Sequence, residues 1–275
     1  MDLREYTVVA NNTATASTNK IHDDTVARRY GFAGGLVPGV DVYAYLTHPP
    51  AEGWGLDWLR QGSVRARFVT PVYDGDEVTV MPADTAQPDQ PGDGRAVALQ
   101  VSNSAGVVCA TGEARLPSQP DPAPDGSGWT WSAVEPADDP RPASPETLAP
   151  GTSLALAPHA FRADRAGEYL EDVREELPVY RDAGVAHPGW LLRDANYVLS
   201  ANVVLGPWIH VESVVQHHQL VLDGDVISTR AVVTREWAHK GHRFVELDVG
   251  LFLDDDRLAA RITHTAIYQP ASRAG

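Results

Sequence analysis

The sequence predicts an α+β protein made of two tandem copies of one fold. Four landmarks recur at a nearly constant offset, which is typical of an internal repeat. Pro38-Gly39 and Trp58 return 150 residues later as Pro188-Gly189 and Trp208; the turn at 74–76 returns after 149 residues and the alternating apolar run 97–101 after 148. Residues 116–151 hold nine prolines among Asp, Ser, Gly and Ala, a composition typical of a linker. We therefore expect domains at 1–115 and 152–275 joined by a linker at 116–151.

Each copy shows the same order of predicted elements. An opening strand comes first, at Glu5–Ala10 or Ser153–Ala163, and a helical stretch follows at His22–Tyr30 or Ala166–Leu177. A longer helix then starts at each Pro-Gly pair, because proline at the first helical position loses no hydrogen bond. Alternating apolar residues predict four closing strands, antiparallel in arrangement. In the second copy these strands run near Ile209–Val221, Val226–Trp237, Arg243–Leu253 and Arg257–Tyr268.

A polar cluster precedes the first long helix. Asn19, His22 and Asp24 lie just before the turn at Gly34-Gly35, and the apolar segment Val40–Leu46 reads as a buried helix. A histidine near the free amides of a helix N-terminus can supply both a base and an oxyanion site. The alternative is that His22 is an ordinary loop histidine and that Asp23 and Asp24 cap a short helix. The local residues leave both interpretations open.

This stretch resembles the MaoC-like group of hot-dog-fold hydratases and dehydratases. Their signature runs Asp-x-Asn-Pro-x-His-x-Asp, then Ala, Gly-Phe, a hydrophobic pair, His-Gly and the central helix. The matching residues are Asn19, His22, Asp24, Ala27 and Gly31-Phe32, and Leu36-Val37-Pro38-Gly39 stands where Ile-Val-His-Gly is usual. The resemblance implies a fused double hot-dog form of the MaoC-like (R)-specific enoyl-CoA hydratase/dehydratase family, with its two sheets side by side.

Three positions depart from that signature. Its first Asp falls on Ser17, its Pro on Lys20 and its helix-start His on Pro38. A serine cannot act as a carboxylate base, so His22 works alone or with Asp23 or Asp24. Losing one positioned acid–base group costs about 10²–10⁴ in rate. The departures therefore predict weak, altered or absent activity.

The resemblance implies reversible water addition to an enoyl thioester, carried by CoA or by acyl carrier protein, without a cofactor. His22 would exchange a proton with C2 or hold the water, Asn19 would orient the water or His22, and Ser17 would at most hydrogen-bond the water. The start of the helix, Pro38 and the Gly39 amide, would hold the thioester oxygen. Asp24 would cap or orient rather than react.

The second copy lacks the polar cluster, since Glu168 stands near the position of Asn19. The resemblance therefore implies one site per chain, centred on the first copy. His187, directly before Pro188-Gly189, is a further candidate for ligand contact because it lies at a helix start.

Two other functions stay open. Thioester hydrolysis requires a carboxylate near the helix start, and Asp41 is the candidate. A non-catalytic acyl-thioester-binding protein, or a partner subunit of an enzyme, is consistent with Ser17 and Pro38. Assays on enoyl and 3-hydroxyacyl thioesters would separate these alternatives.

The charge of the chain limits which classes of partner it is expected to bind. A net charge of −15 argues against nucleic acid and anionic membranes. An anionic CoA would need a local basic patch, for which the candidates are Arg28, Arg29, Arg60, Arg65 and Arg67. A homodimer is left open.

Other motifs and segments add expectations about compartment and cofactors. No apolar run approaches the roughly 20 residues needed to cross a bilayer, and the N-terminus lacks a signal-peptide core, which favours the cytoplasm. The single cysteine, Cys109, excludes an internal disulfide and reads as a packed thiol. Along one strand His210 and His218 would be about 26 Å apart, too far for a shared ion, so we expect no metal site. No nucleotide-binding motif is present.

Overall fold

A computed structural model describes residues 3–84, 94–129, 139–254 and 256–271. The α+β class predicted from the sequence is confirmed. The helices are α1 Asp24–Arg29, α2 Gly39–Gln61, α3 Ala163–Asp172, α4 Pro178–Asp182 and α5 Pro188–Asn202. The strands are β1 Tyr6–Val9, β2 Ser63–Phe68, β3 Glu77–Asp84, β4 Arg95–Asn103, β5 Val108–Leu116, β6 Arg141–Pro142, β7 Ser153–Ala155, β8 His159–Ala160, β9 Val203–Val204, β10 Ile209–His217, β11 Val226–His239, β12 His242–Leu253 and β13 Arg257–Gln269.

One continuous antiparallel sheet runs through both halves of the described chain. Its order is β1-β3-β4-β5-β2-β10-β13-β12-β11-β7, with β8 also paired to β11. Read outward from the centre, β2-β5-β4-β3-β1 and β10-β13-β12-β11-β7 have the same connectivity. The halves join where β2 pairs with β10 in the register Arg65↔Val214. The sheet therefore has an approximate two-fold relation about that joint.

The two long helices lie on one side of this sheet and pack against each other. The first half of α2 is almost wholly buried, from Val40 to Thr47. At Gly189, in the first turn of α5, an added Cβ would lie 2.9 Å from the Cβ of Ala44 and 3.2 Å from the carbonyl oxygen of Val40. Glycine is required there because only a residue without a side chain permits this approach. The core thus continues across both helices.

The predicted helix starts and closing strands agree with these elements, and two local predictions are wrong. The opening strand expected over Ser153–Ala163 is split into β7 and β8, because Pro158 cannot donate to a ladder. The helical stretch expected over Ala166–Leu177 begins earlier, at Ala163, and ends at Asp172. Arg174 has φ 57, a left-handed conformation that stops the helix.

The proline-rich segment is attached to the domains by a short strand and by two buried side chains. β6 pairs in parallel with β9, with Arg141 opposite Val203. Trp129 is buried against Phe252, and its indole nitrogen donates to the carbonyl oxygen of Asp248 at 3.1 Å. Leu148 is fully buried in the main core. Trp131, the other tryptophan of this segment, lies outside the described residues. The boundaries at 115 and 152 stay a prediction.

No helix in the described ranges is long and apolar enough to cross a membrane.

We expect Leu148→Ala to lower the free energy of unfolding by about 2–5 kcal/mol, because it leaves a cavity in the core. Leu222→Ala is the matched control: Leu222 is 44% exposed, and its loss should change stability by less than about 0.5 kcal/mol. Urea unfolding measures both. Equal losses would mean that the segment around Leu148 does not pack in solution.

Candidate functional site

His22 lies at the end of a short 3₁₀ turn, Lys20–His22, and its ring is held in one tautomer. Nδ1 is 2.7 Å from the carbonyl oxygen of Leu36. A carbonyl only accepts, so Nδ1 carries the proton and Nε2 keeps a lone pair. Burial lowers the pKa of His22, although the Leu36 carbonyl and Asp41 oppose the shift. His22 is therefore a neutral base near pH 7.

Asn19 lies beside His22 and joins the two halves of the chain. Its Nδ2 donates to the carbonyl oxygen of Trp208 at 3.0 Å and lies 3.4 Å from His22 Nε2. Its Oδ1 accepts from the backbone amides of Trp208 at 3.1 Å and Ile21 at 3.3 Å. Both ends of this buried amide are thus engaged. The Asn19 oxygen is therefore used within the fold, and the predicted role of Asn19, orienting the water or His22, stays a prediction.

His22 lines a cavity of about 280 Å³, which we call the apolar cavity. Both halves of the chain contribute to its wall. The apolar lining includes Phe32, Val42, Phe68, Val72, Trp208 and Ile267, and Pro38, Gly39, Asn196 and His210 also border it. Such a chamber suits an acyl chain better than a polar ligand.

The start of α2 borders the apolar cavity without a side-chain cap. Pro38 occupies the cap position and offers no hydrogen-bonding side chain. The first helical amides, at Gly39 and Val40, have no acceptor within the helix and concentrate positive partial charge. A Cβ on Gly39 would lie 2.8 Å from Nδ1 of His210, so glycine is required there. This helix start can receive a developing negative charge.

The start of α5 is closed, in contrast. His187 Nδ1 accepts from the amide of Gly189 at 2.9 Å, and the Tyr169 hydroxyl fills the space above Gly189. His187 is fully buried and also lies 3.6 Å from Glu175. Burial raises the pKa of Glu175, but hydrogen bonds from His187 and His48 outweigh it and bring that pKa to about 2.

His187 therefore does not share the apolar cavity with His22. It borders a separate cavity of about 160 Å³ in the second half. The prediction that His187 contacts ligand therefore concerns that separate cavity, and it stays a prediction. Its ring caps a helix, a role that the sequence does not distinguish from ligand contact because both place a histidine at a helix start.

Ser17 and Asp24 lie near His22 but outside the apolar cavity. Ser17 Oγ accepts from the amide of Asn19 at 3.1 Å and borders a second chamber of about 410 Å³, the polar cavity, which His22 and Asn19 also line. Asp24 is 67% exposed and accepts from the amide of Gly35 at 2.8 Å. Asp24 thus contacts the glycine turn and does not border the apolar cavity. Its predicted role in capping or orienting stays a prediction.

Asp41, the carboxylate that thioester hydrolysis would require, points elsewhere. It is fully buried, 3.0 Å from Arg193 Nη2, and accepts from the Thr13 hydroxyl at 2.6 Å. Burial raises its pKa, and Arg193 and Thr13 oppose the shift. Asp41 borders neither the apolar nor the polar cavity. The arrangement is a structural ion pair between α2 and α5.

Two parts of the site were missed by sequence reasoning. Asn196, from α5, borders both the apolar and the polar cavities. A buried chain links His210 Nε2 to Ser213 Oγ at 2.8 Å and Ser213 Oγ to His264 Nδ1 at 3.0 Å. These residues are far from His22 in sequence, and no local pattern marks them. Within the residues described, no group of His, Cys, Asp or Glu could hold a metal ion.

Two of the arginines considered for a basic patch form ion pairs with carboxylates. Arg28 pairs with Asp24 at 3.3 Å and Arg65 with Glu212 at 2.7 Å. Each therefore has a neighbouring carboxylate that offsets its charge.

The sequence matches no family model, and no curated protein matches it. Among solved structures, the chain is similar to a MaoC-like dehydratase at TM-score 0.64 and 13% identity, over 96% of this chain and 98% of the other. It is also similar to a conserved hypothetical protein from Mycobacterium tuberculosis that has a double hot-dog fold, at TM-score 0.61 and 15% identity over 97% and 96%. A protein assigned as a thioesterase from Novosphingobium aromaticivorans DSM 12444 gives TM-score 0.51 and 12% identity over 98% and 97%. These likenesses confirm the predicted double hot-dog fold.

Replacing Arg193 by Leu should lower the free energy of unfolding by about 3–5 kcal/mol, because Asp41 would be left buried without its counter-charge. Arg261→Leu is the control, since it breaks the partly exposed pair with Asp248 and should cost about 0–1 kcal/mol. Chemical denaturation at neutral pH compares them. A similar small loss in both would show that water reaches Asp41.

Stability should fall as pH falls from about 6.5 toward 4. Burial lowers the pKa of His217 to about 4 and that of His264 to about 3, from an ordinary value of 6.5. Below pH 6.5 the unfolded chain binds protons that the folded protein excludes, so protonation favours unfolding; above pH 6.5 both residues are neutral in either state.

Unfolding measured across this pH range tests that dependence. His264→Gln should reduce the slope of stability against pH, and His239→Gln, at an exposed strand end, should leave it unchanged. An unchanged slope in His264→Gln would contradict the buried neutral state.

Proposed function

We propose that this protein catalyses reversible addition of water to the double bond of an enoyl thioester carried by CoA or acyl carrier protein. The observation that carries the proposal is the tautomer of His22. Its proton is fixed on Nδ1 by Leu36, which leaves Nε2 with a lone pair, and His22 borders an apolar cavity that the uncapped start of α2 also lines. A base and an electrophilic helix end thus border one acyl-sized chamber.

The chemistry follows from these positions. In hydration, His22 Nε2 takes a proton from water as the water oxygen bonds to C3 of the enoyl group. The electron pair of the double bond moves toward the thioester carbonyl, and the resulting enolate-like oxygen is stabilised by the Gly39 amide. The imidazolium then delivers its proton to C2, and His22 returns to its neutral form. Dehydration runs through the same steps in reverse.

The two cavities suit two parts of such a ligand. The apolar cavity would take the acyl chain, and the polar cavity, bordered by Ser17 and Thr13, would take the amide-bearing arm of the carrier. His22 borders both chambers, so the reacting carbons would lie at their junction. The solved structures similar to this chain include a MaoC-like dehydratase, which is consistent with the proposal.

Thioester hydrolysis is the second candidate, since a similar structure is assigned as a thioesterase. The position of Asp41 weighs against it, because that carboxylate is paired with Arg193 and lies outside both cavities. A non-catalytic binding protein is favoured by Ser17, whose hydroxyl cannot replace a carboxylate base.

One assay separates the three candidates. The protein is incubated with enoyl-CoA and 3-hydroxyacyl-CoA esters of several chain lengths, and the enoyl-thioester absorbance and free thiol are followed together. Interconversion without thiol release supports the hydratase. Thiol release supports hydrolysis, and saturable binding without either change supports the binding protein.

His22→Ala should lose about 10²–10⁴ in turnover, because it removes the base. Ser17→Asp should raise the hydratase rate: an Asp at that position can still accept from the amide of Asn19 and adds a carboxylate to the chamber beside His22. His239→Ala, at an exposed position, serves as the control. Full turnover in His22→Ala would show that His22 is structural and would end the water-addition mechanism.

A further inference from the structure

The side-chain oxygen of Asn196 is a buried acceptor without a partner among the described residues. Asn196 lies in the middle of α5, and the helix backbone around it is otherwise well packed. Enclosing an amide oxygen without a hydrogen bond costs free energy, and such atoms are rare in folded proteins. A ligand that donates a hydrogen bond would remove this cost.

The position of Asn196 indicates which ligand would donate this hydrogen bond. Five residues border both the apolar and the polar cavities: Asn19, His22, Pro38, Asn196 and Trp208. The Asn19 oxygen is committed to the amides of Trp208 and Ile21. Among these five residues, Asn196 carries the side-chain acceptor without a partner, Oδ1, and His22 carries Nε2, which the Asn19 Nδ2 donor approaches at 3.4 Å.

We infer that Asn196 is a catalytic residue that holds the reacting water, or the 3-hydroxyl of the hydrated thioester, by accepting a hydrogen bond from it. This inference rests on the proposed function. A water molecule carries two hydrogens, and His22 accepts one of them while Asn196 accepts the other. The lone pair of the oxygen is then directed to C3, and only the proton facing His22 is transferred.

Ser17 is less suited to that role. Its hydroxyl oxygen already accepts from the amide of Asn19. Ser17 borders the polar cavity but not the apolar cavity. Asn196 comes from the second half of the chain, so the second half supplies a reacting group to a site whose base lies in the first half. This gives the half without the polar cluster a chemical role beyond shaping the cavity.

The test is equilibrium binding, which requires no turnover. Calorimetry compares a 3-hydroxyacyl-CoA with the saturated acyl-CoA of equal length, for the wild type, Asn196→Leu and Asn196→Asp. Leucine is close to asparagine in size and cannot accept, whereas aspartate keeps the acceptor oxygen. Ser104→Ala, in the exposed turn between β4 and β5, is the control, because Ser104 borders neither the apolar nor the polar cavity.

The wild type and Ser104→Ala should prefer the hydroxylated ligand by about tenfold, the value of one hydrogen bond in an enclosed site. Asn196→Leu should lose that preference and keep its affinity for the saturated ligand, and Asn196→Asp should retain the preference. The inference is overturned if the wild type shows no preference, if Asn196→Leu retains it, or if Asn196→Asp loses it. Should Asn196→Leu fail to fold, the ligand preferences of the wild type and of Asn196→Asp test the inference.

Kinetics then separate this inference from the proposed function. If the wild type turns over enoyl-CoA, Asn196→Leu should lower kcat by about 10²-fold with a smaller change in KM, because the oxygen is misplaced relative to C3. An Asn196-dependent preference without any turnover would reject the hydratase and keep the hydroxyl-binding role. Turnover that is unaffected by Asn196→Leu would support the hydratase and reject the role of Asn196.

Discussion

Antiparallel pairing between β2 and β10 determines how the two halves meet, and the apolar cavity forms across that meeting. The strands are in register at Arg65↔Val214, so the end of β10 that begins at Ile209 lies beside the start of α2. Trp208 then lies beside Asn19, and the two exchange hydrogen bonds of 3.0 and 3.1 Å. His22 lies beside this contact, with its Nε2 3.4 Å from Asn19 Nδ2. The surroundings of His22 in the first half thus include backbone from the second half.

The difference between the two halves has a simple electrostatic form. Both long helices begin at a Pro-Gly pair, and both present amides with positive partial charge. At α5 the amide of Gly189 has a partner within the fold, because it donates to Nδ1 of His187. At α2 the cap position is held by Pro38, which cannot accept. One helix start is therefore closed within the fold and the other is open to a ligand.

Buried charges tie the helices of the two halves together. Asp41 on α2 pairs with Arg193 on α5, whose guanidinium also lies 4.4 Å from the centre of the Tyr169 ring. Glu175 accepts from His48 at 3.0 Å and thereby links the second half back to α2. Removing either partner from such a pair leaves an uncompensated charge, so the geometry of the joint is strongly specified.

The sequence by itself determined the repeat, the α+β class and the residues of the polar cluster, because these follow from local spacing, apolar alternation and a contiguous motif. His22, Asn19 and Gly39 could be placed near one another since they lie within about 20 residues of chain. The tertiary structure alone decided that Asp41 forms an ion pair with Arg193 and that His187 caps its own helix. It also decided that Asn196 and His210 border the apolar cavity together with His22. The surroundings of Asp41, Asn196 and His210 depend on how the second half packs against the first, across separations of more than 100 residues that no local pattern encodes. The His187 contact spans two residues, but only the folded chain shows that its ring caps the helix.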